Sequence, residues 1–168
     1  ASCDVKQAKK DGGTPAYIAA CRGHTAALEV LFKAGCNVNQ AEKNGATLAY
    51  IAAQQGHTAA LELLVKAGCD VNQAEKNGGT PACVAASNGH TAALDVLIKA
   101  GCDVNRATKD GATPAHIAAQ QGQTAALELL VKAPGCDVNQ ADKEGSTPAH
   151  LAAEKGHTAA LDLLVRAG

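Results

Sequence analysis

Apolar residues along the chain gather in short blocks broken by Gly-centred polar stretches, and the blocks alternate between two spellings. In the stretch from Asn77 to Lys109, Thr80 is a good helix N-cap and Pro81 is preorganised for a first helical turn. This predicts a short helix that runs to about Asn88 and stops at Gly89. Thr91 reads as the cap of a second helix, along which Ala93, Leu94, Leu97 and Ile98 recur at the spacing of one helical face until Gly101 ends it. Cys102 to Gly111 is polar apart from Val104 and small residues, and predicts a linker closed by a Lys109-Asp110-Gly111 turn. The same pattern recurs along the chain. The residues preceding its turn glycine are Asp11, Asn44, Asn77, Asp110 and Glu144, at spacings of 33, 33, 33 and 34. Five in-register units follow the tail of a sixth, Cys3 to Lys10.

Composition sharpens this picture. Ala dominates, there are two Tyr and one Phe, and Met and Trp are absent, so the core must come from helices packed closely enough for small side chains to fill the gaps. The 17 glycines are spread evenly, as stops for many short elements and not as a linker. A net charge of −1 gives no whole-chain reason to expect nucleic acid or an anionic membrane as partner. No apolar run approaches the ~20 residues of a membrane span, and Ala1 to Lys10 contains no secretory apolar stretch.

The motifs Gly-x-Thr-Pro-x-His-x-Ala-Ala, Gly-His and Ala-Gly-x-Asp-Val-Asn, in a unit of 33, resemble the ankyrin repeat over essentially the whole chain. The resemblance implies an all-α solenoid of stacked antiparallel helix pairs joined by turn or β-hairpin-like fingers, with fingers and first helices on the concave side. The expected organisation is a partial repeat at 1–10 and repeats at 11–43, 44–76, 77–109, 110–143 and 144–168. The fourth carries an extra residue, Pro134, expected to be absorbed as a bulge before Gly135; the fifth is truncated; together they form one domain.

There are departures from the family pattern. The family's Leu after Pro is Ala at 16, 49, 82, 115 and 149, which predicts closer first helices. Leu48 replaces Pro in the second unit and is expected to loosen that helix start. The family's His survives as His116 and His150, with Tyr17, Tyr50 and Cys83 elsewhere.

Candidate chemistry thins out once the period is known. Cys3, Cys36, Cys69, Cys102 and Cys136 occupy one position in successive units, about 8–10 Å apart if the units stack as packed helices. A disulfide requires Cα atoms within about 7 Å, so the row reads as buried thiols standing in for Ala. Cys21 and Cys83 have no zinc-like spacing. An odd number of unpaired thiols suggests a reducing, intracellular compartment, the cytoplasm before the nucleus. The Gly-His row of His24, His57, His90 and His157 is too widely spaced to share a metal, and Gln123 replaces its fifth member, so a loop-orienting role is expected. Serines are few, no nucleophile elbow or phosphate loop occurs, and Glu29, Glu62, Asp95, Glu128 and Asp162 recur as helix-surface positions. No catalytic residue, metal or cofactor is expected.

The units differ from one another mainly at the last turn of the first helix, which the resemblance places on the concave face. These positions are Cys21-Arg22, Gln54-Gln55, Ser87-Asn88, Gln120-Gln121 and Glu154-Lys155. The turn tips add Lys10-Asp11, Lys43-Asn44, Lys76-Asn77, Lys109-Asp110 and Lys143-Glu144. These residues are the expected surface for another protein, bound by a monomeric scaffold. The row of Lys would draw an acidic partner, except that Glu42, Glu75 and Asp142 precede three of its members and offset the charge. Asn39, Asn72, Asn105 and Asn139 resemble a position that an asparaginyl hydroxylase modifies in many ankyrin repeats. Their ordinary role is to tie down the turn backbone. The rival to a binding scaffold is a passive spacer or elastic array. Neither end shows a polar capping unit, which predicts a segment of a longer array or an array engineered from one.

Overall fold

The structure is a computed structural model describing residues 5, 7–9 and 13–168. Cys3, Lys10 and Asp11 lie outside the described residues. Among those described are ten α-helices in five antiparallel pairs and no strands. The first helices are α1 (Pro15–Cys21), α3 (Leu48–Gln54), α5 (Pro81–Asn88), α7 (Pro114–Gln120) and α9 (Pro148–Glu154). The second helices are α2 (Thr25–Lys33), α4 (Thr58–Lys66), α6 (Thr91–Lys99), α8 (Thr124–Lys132) and α10 (Thr158–Ala167).

Each first helix opens on a threonine with extended backbone. Thr14, Thr47 and Thr80 Oγ1 accept the backbone N–H groups of Tyr17, Tyr50 and Cys83 at 3.2, 3.1 and 3.2 Å. Such a cap contributes about 1 kcal/mol. The second unit, which lacks Pro, keeps the same cap geometry. Its Leu48 is 1% exposed, so burial supports the start that proline preorganises elsewhere. In the fourth unit His116 completes a capping box: its Nδ1 accepts from the Thr113 N–H at 3.2 Å. That fixes the neutral tautomer and leaves Nε2–H to donate to the Ser146 carbonyl of the next finger at 3.0 Å.

The turn between paired helices differs from the expected threonine cap. Thr91 lies inside α6, and His90 is the N-cap residue with no side-chain capping bond. Gly89 takes φ +68°, which only glycine adopts readily, and His90 follows at φ −78°, ψ 71°, the inverse γ-turn region. The Thr91 N–H donates to the Gly89 carbonyl at 2.9 Å, so backbone geometry starts the second helix. His24, His57, Gln123 and His157 share these angles closely.

Ala16, Ala49, Ala82 and Ala115 are at most 1% exposed, and the first helices pack against one another more tightly than the second helices do. The second helices supply the larger apolar groups, among them Leu61, Leu64, Leu94, Leu97, Leu127 and Leu130, all fully buried. Pro134 is absorbed locally. The residue before a proline avoids helical angles, and Ala133 accordingly takes ψ 139° where the other second-helix C-caps lie near 0°.

Candidate binding surface

Between helix pairs the chain turns through fingers, closed by one backbone bond at the base: Glu42, Glu75, Thr108 and Asp142 N–H donate to the carbonyls of Ala46, Gly79, Ala112 and Ser146, each at 2.9 Å. An isolated antiparallel bridge, Ala41 with Thr47, is the most strand-like feature here. Neighbouring fingers are joined tip to tip. The N–H groups of Lys76, Lys109 and Lys143 donate to the carbonyls of Asn44, Asn77 and Asp110 at 2.9, 2.8 and 3.1 Å.

Glu75 and Asp142 turn to the backbone and form no ion pair with the lysines that follow them, while their charge stays within the same turn. Glu75 Oε1 accepts the N–H groups of Asn77 and Gly79, and Asp142 Oδ1 those of Glu144 and Ser146, because a turn that leaves backbone donors unpaired needs a nearby acceptor. Lys43, Lys76, Lys109 and Lys143 are exposed and form no ion pair among the described residues.

The Gly-His row orients more than its own loop. His57, His90 and His157 Nε2 donate to the carbonyls of Cys21, Gln54 and Gln120, in the preceding unit, at 3.0, 3.1 and 3.1 Å. Gln123 Nε2 does the same to Ser87 at 3.3 Å. Carbonyls at the ends of α1, α3, α5 and α7, unpaired within the helix, are thus capped by the next repeat. The asparagine row also reaches across units, where the sequence suggested a tie within the turn. Asn39, Asn72 and Asn105 Oδ1 accept the N–H groups of Asp70, Asp103 and Asp137 at 2.7, 2.7 and 2.9 Å. The local tie comes from the residue two positions earlier: Asn37, Asp70, Asp103 and Asp137 side chains accept from the N–H of Asn39, Asn72, Asn105 and Asn139.

These bonds fix the backbone under the first-helix ends while leaving their side chains outward. Arg22, Gln55, Gln121, Glu154 and Lys155 are exposed, as are Asn44, Asn77, Asp110, Glu144 and Gln120; Cys21, Gln54 and Ser87 are half-buried. Asn88 is exposed, yet its Nδ2 donates to the Gln54 carbonyl at 2.9 Å, so it serves the stack as well. Glu154 and Lys155 pair with each other at 2.8 Å. Tyr17, Ile18, Lys9 and Glu42 also line this surface at its first unit, beside Arg22 and Lys43, and were not among the expected site residues. The signal available for them was only that Tyr17 and Ile18 sit one turn before Cys21 and Arg22.

Of the cysteine row, Cys36, Cys69, Cys102 and Cys136 are half-buried and not fully buried; Cys83, outside the row, is buried. Burial pushes the Cys69 and Cys102 thiols up to about 11, with neighbouring Asp70 and Asp103 adding to the effect, so at neutral pH both are protonated and weakly nucleophilic. Among the described residues no group of His, Cys, Asp and Glu is gathered closely enough to hold a metal ion, and no helix is long and apolar enough to cross a membrane.

Short helix pairs locked by cross-unit bonds define the chain as an α-solenoid repeat protein. The profile for ankyrin repeats (three copies) matches residues 1–75 and 67–142, and that for a single ankyrin repeat matches residues 144–168. The chain belongs to the ankyrin-repeat family. Ankyrin repeats generally mediate protein–protein interaction, and proteins built from them are typically non-enzymatic scaffolds. A comparison with curated proteins finds no match.

Proposed function

We propose that this chain is a scaffold that recognises another protein through the inner row of first-helix ends and finger tips, the five helix pairs acting as one domain with units at 11–43, 44–76, 77–109, 110–143 and 144–168. The observation that carries the reading is a contrast within each unit. The backbone beneath the row is held by cross-unit bonds repeated from unit to unit, whereas the side chains it presents change from Arg22 to Gln55, Asn88, Gln121 and Lys155. A rigid frame with varied outward side chains favours specific contact, because little conformational entropy is lost on binding. Asn39, Asn72, Asn105 and Asn139 are proposed hydroxylation positions on the same fingers. Asn139 is exposed and the others half-buried, so Asn139 is the one expected to be modified first.

The test is affinity capture from lysate with the chain and with a variant carrying Arg22, Gln55, Asn88, Gln121 and Lys155 changed to Ala. A saturable partner lost in the variant supports recognition. An unchanged, unsaturable profile overturns it in favour of a passive spacer.

A further inference from the structure

We propose that the cleft between α1 and the finger tip at Lys43-Asn44 docks a short acidic peptide segment carrying one apolar side chain. This names the partner chemistry at one end of the recognition row and rests on that reading. The cleft has a volume of about 480 Å³, within the range of roughly 300–1,000 Å³ typical of small-ligand sites. Its apolar wall is Tyr17, Ile18 and Cys21, and Lys9, Arg22 and Lys43 surround it. All three cations are exposed, and none is in an ion pair among the described residues. Among the described residues Glu42 is the one carboxylate on the rim, against the three cations.

The apolar wall is open to solvent in part. Ile18 is half-buried, as Ile117 is in the fourth unit, whereas Ile51 and Val84, at the same position in the second and third units, are 5% and 9% exposed. In sequence the tips pair Lys10 with Asp11, Lys109 with Asp110 and Lys143 with Glu144, whereas Lys43 stands beside Asn44, and Lys155 is already paired with Glu154. An anionic segment is therefore drawn more strongly to Lys9, Arg22 and Lys43 at the α1 end than to the α9 end. The apolar wall distinguishes a peptide from a bare polyanion, since phosphates gain nothing from Tyr17 and Ile18.

The experiment is an NMR titration of the full ¹⁵N-labelled chain with a nonapeptide of Asp and Glu around a central Leu. The same peptide with Ser for Leu, an all-Lys analogue and a nine-nucleotide oligothymidylate serve as comparisons. The expected result is amide shifts at Tyr17, Ile18 and Cys21, weaker binding for the Ser peptide and none for the Lys analogue. Arg22→Glu and Lys43→Glu each weaken binding at least tenfold with unchanged thermal melting, and Lys132→Glu, on the second-helix face, leaves it unchanged. Shifts that are absent or centred elsewhere, an equal loss in Lys132→Glu, or tighter binding of the oligothymidylate would overturn the proposal. A captured protein partner that is lost on changing Gln121 and Lys155 but indifferent to Arg22→Glu and Lys43→Glu leaves the recognition row standing and removes the cleft.

Discussion

α2 and α6 are spelled almost alike, Thr-Ala-Ala-Leu-Glu-Val-Leu-Phe-Lys and Thr-Ala-Ala-Leu-Asp-Val-Leu-Ile-Lys, yet they are buried very differently. α6 buries Ala93, Leu94 and Leu97 completely, whereas α2 buries only Leu28. The first helices repeat the lesson: every residue from Pro81 to Ala86 is buried in α5, but only Pro148 and Ala152 are in α9. A helix pair here makes its core with both neighbours. Equal sequences therefore acquire unequal stability according to how many neighbours they touch, which is the behaviour of a one-dimensional array.

The largest expected effect tests that statement directly. Leu94→Ala, at a fully buried central position, should lower the unfolding free energy by about 2–5 kcal/mol in urea. Val165→Ala, at a position 71% exposed, should change it by less than about 0.5 kcal/mol. Comparable losses at the two sites would break the comparison. Amide hydrogen exchange offers a second view of the same contrast, with protection expected to fall from α5 and α6 toward α2 and α10.

The glycines of the helix–helix turn sharpen the comparison with backbone held constant. Gly122 and Gly156 have φ of +66° and +72°, so Ala at either incurs the left-handed penalty of roughly 1–2 kcal/mol. A methyl on Gly122 would also come within 2.7 Å of His157 Nδ1, while one on Gly156 meets nothing within 4 Å. Gly122→Ala is therefore expected to destabilise by about 1–2 kcal/mol more than Gly156→Ala, because the ring must leave its place and its bond to the Gln120 carbonyl weakens. Equal thermal shifts for the two would mean that the histidine row contributes nothing to stacking.

How much of this was legible in the sequence depends on whether the cause lies within one unit. Thr80, Pro81 and Gly89 act on their own helix, and the sequence located that helix from them. Thr91 looked like a cap because Thr before an apolar run usually is one; the γ-turn at His90 took its place, and nothing in the spelling of Gly-His-Thr announces those angles. The partners of Asn72 and His90 lie 31 and 36 residues away, so reading either within its own unit found the right residue and the wrong contact. The first-helix ends were located by variation between units, and most are exposed. Asn88 shows the limit of that signal, since a varied residue can still hold a neighbouring carbonyl. Tyr17 and Ile18 escaped because they sit a turn before the varied positions, and the half-burial that they share with Tyr50 and Ile117 is set by packing that the spelling of one unit does not show.

The thiol row gives a smaller and pH-dependent effect. Cys69 and Cys102 are held up to about 11, above the usual value of 9.0. In the unfolded chain they ionise near 9.0 while the folded chain keeps them protonated, so the neutral thiols favour folding fully below pH 9. That contribution is lost as pH rises toward about 11. The Cys69→Ala/Cys102→Ala variant should show a shallower loss of stability over this interval in urea titrations. A slope identical to the parent's would place the alkaline sensitivity elsewhere.

The smallest expected change concerns Gln123, the one member of the Gly-His row that is not histidine. Its Nε2 donates to the Ser87 carbonyl as the histidines do to theirs, and its side chain lies against Gly89, where the rings of His57, His90 and His157 lie against Gly23, Gly56 and Gly122. The amide thus reproduces both functions of the ring, a donor at the far end and a flat surface over a glycine. Gln123→His should leave stability within about 0.5 kcal/mol, whereas Gln123→Ala should cost about 1 kcal/mol through the unpaired carbonyl and lost packing. If Gln123→His were destabilising by as much as Gln123→Ala, the third and fourth units would be joined by a different device from the rest, and the equivalence of the interior interfaces would fail at that junction.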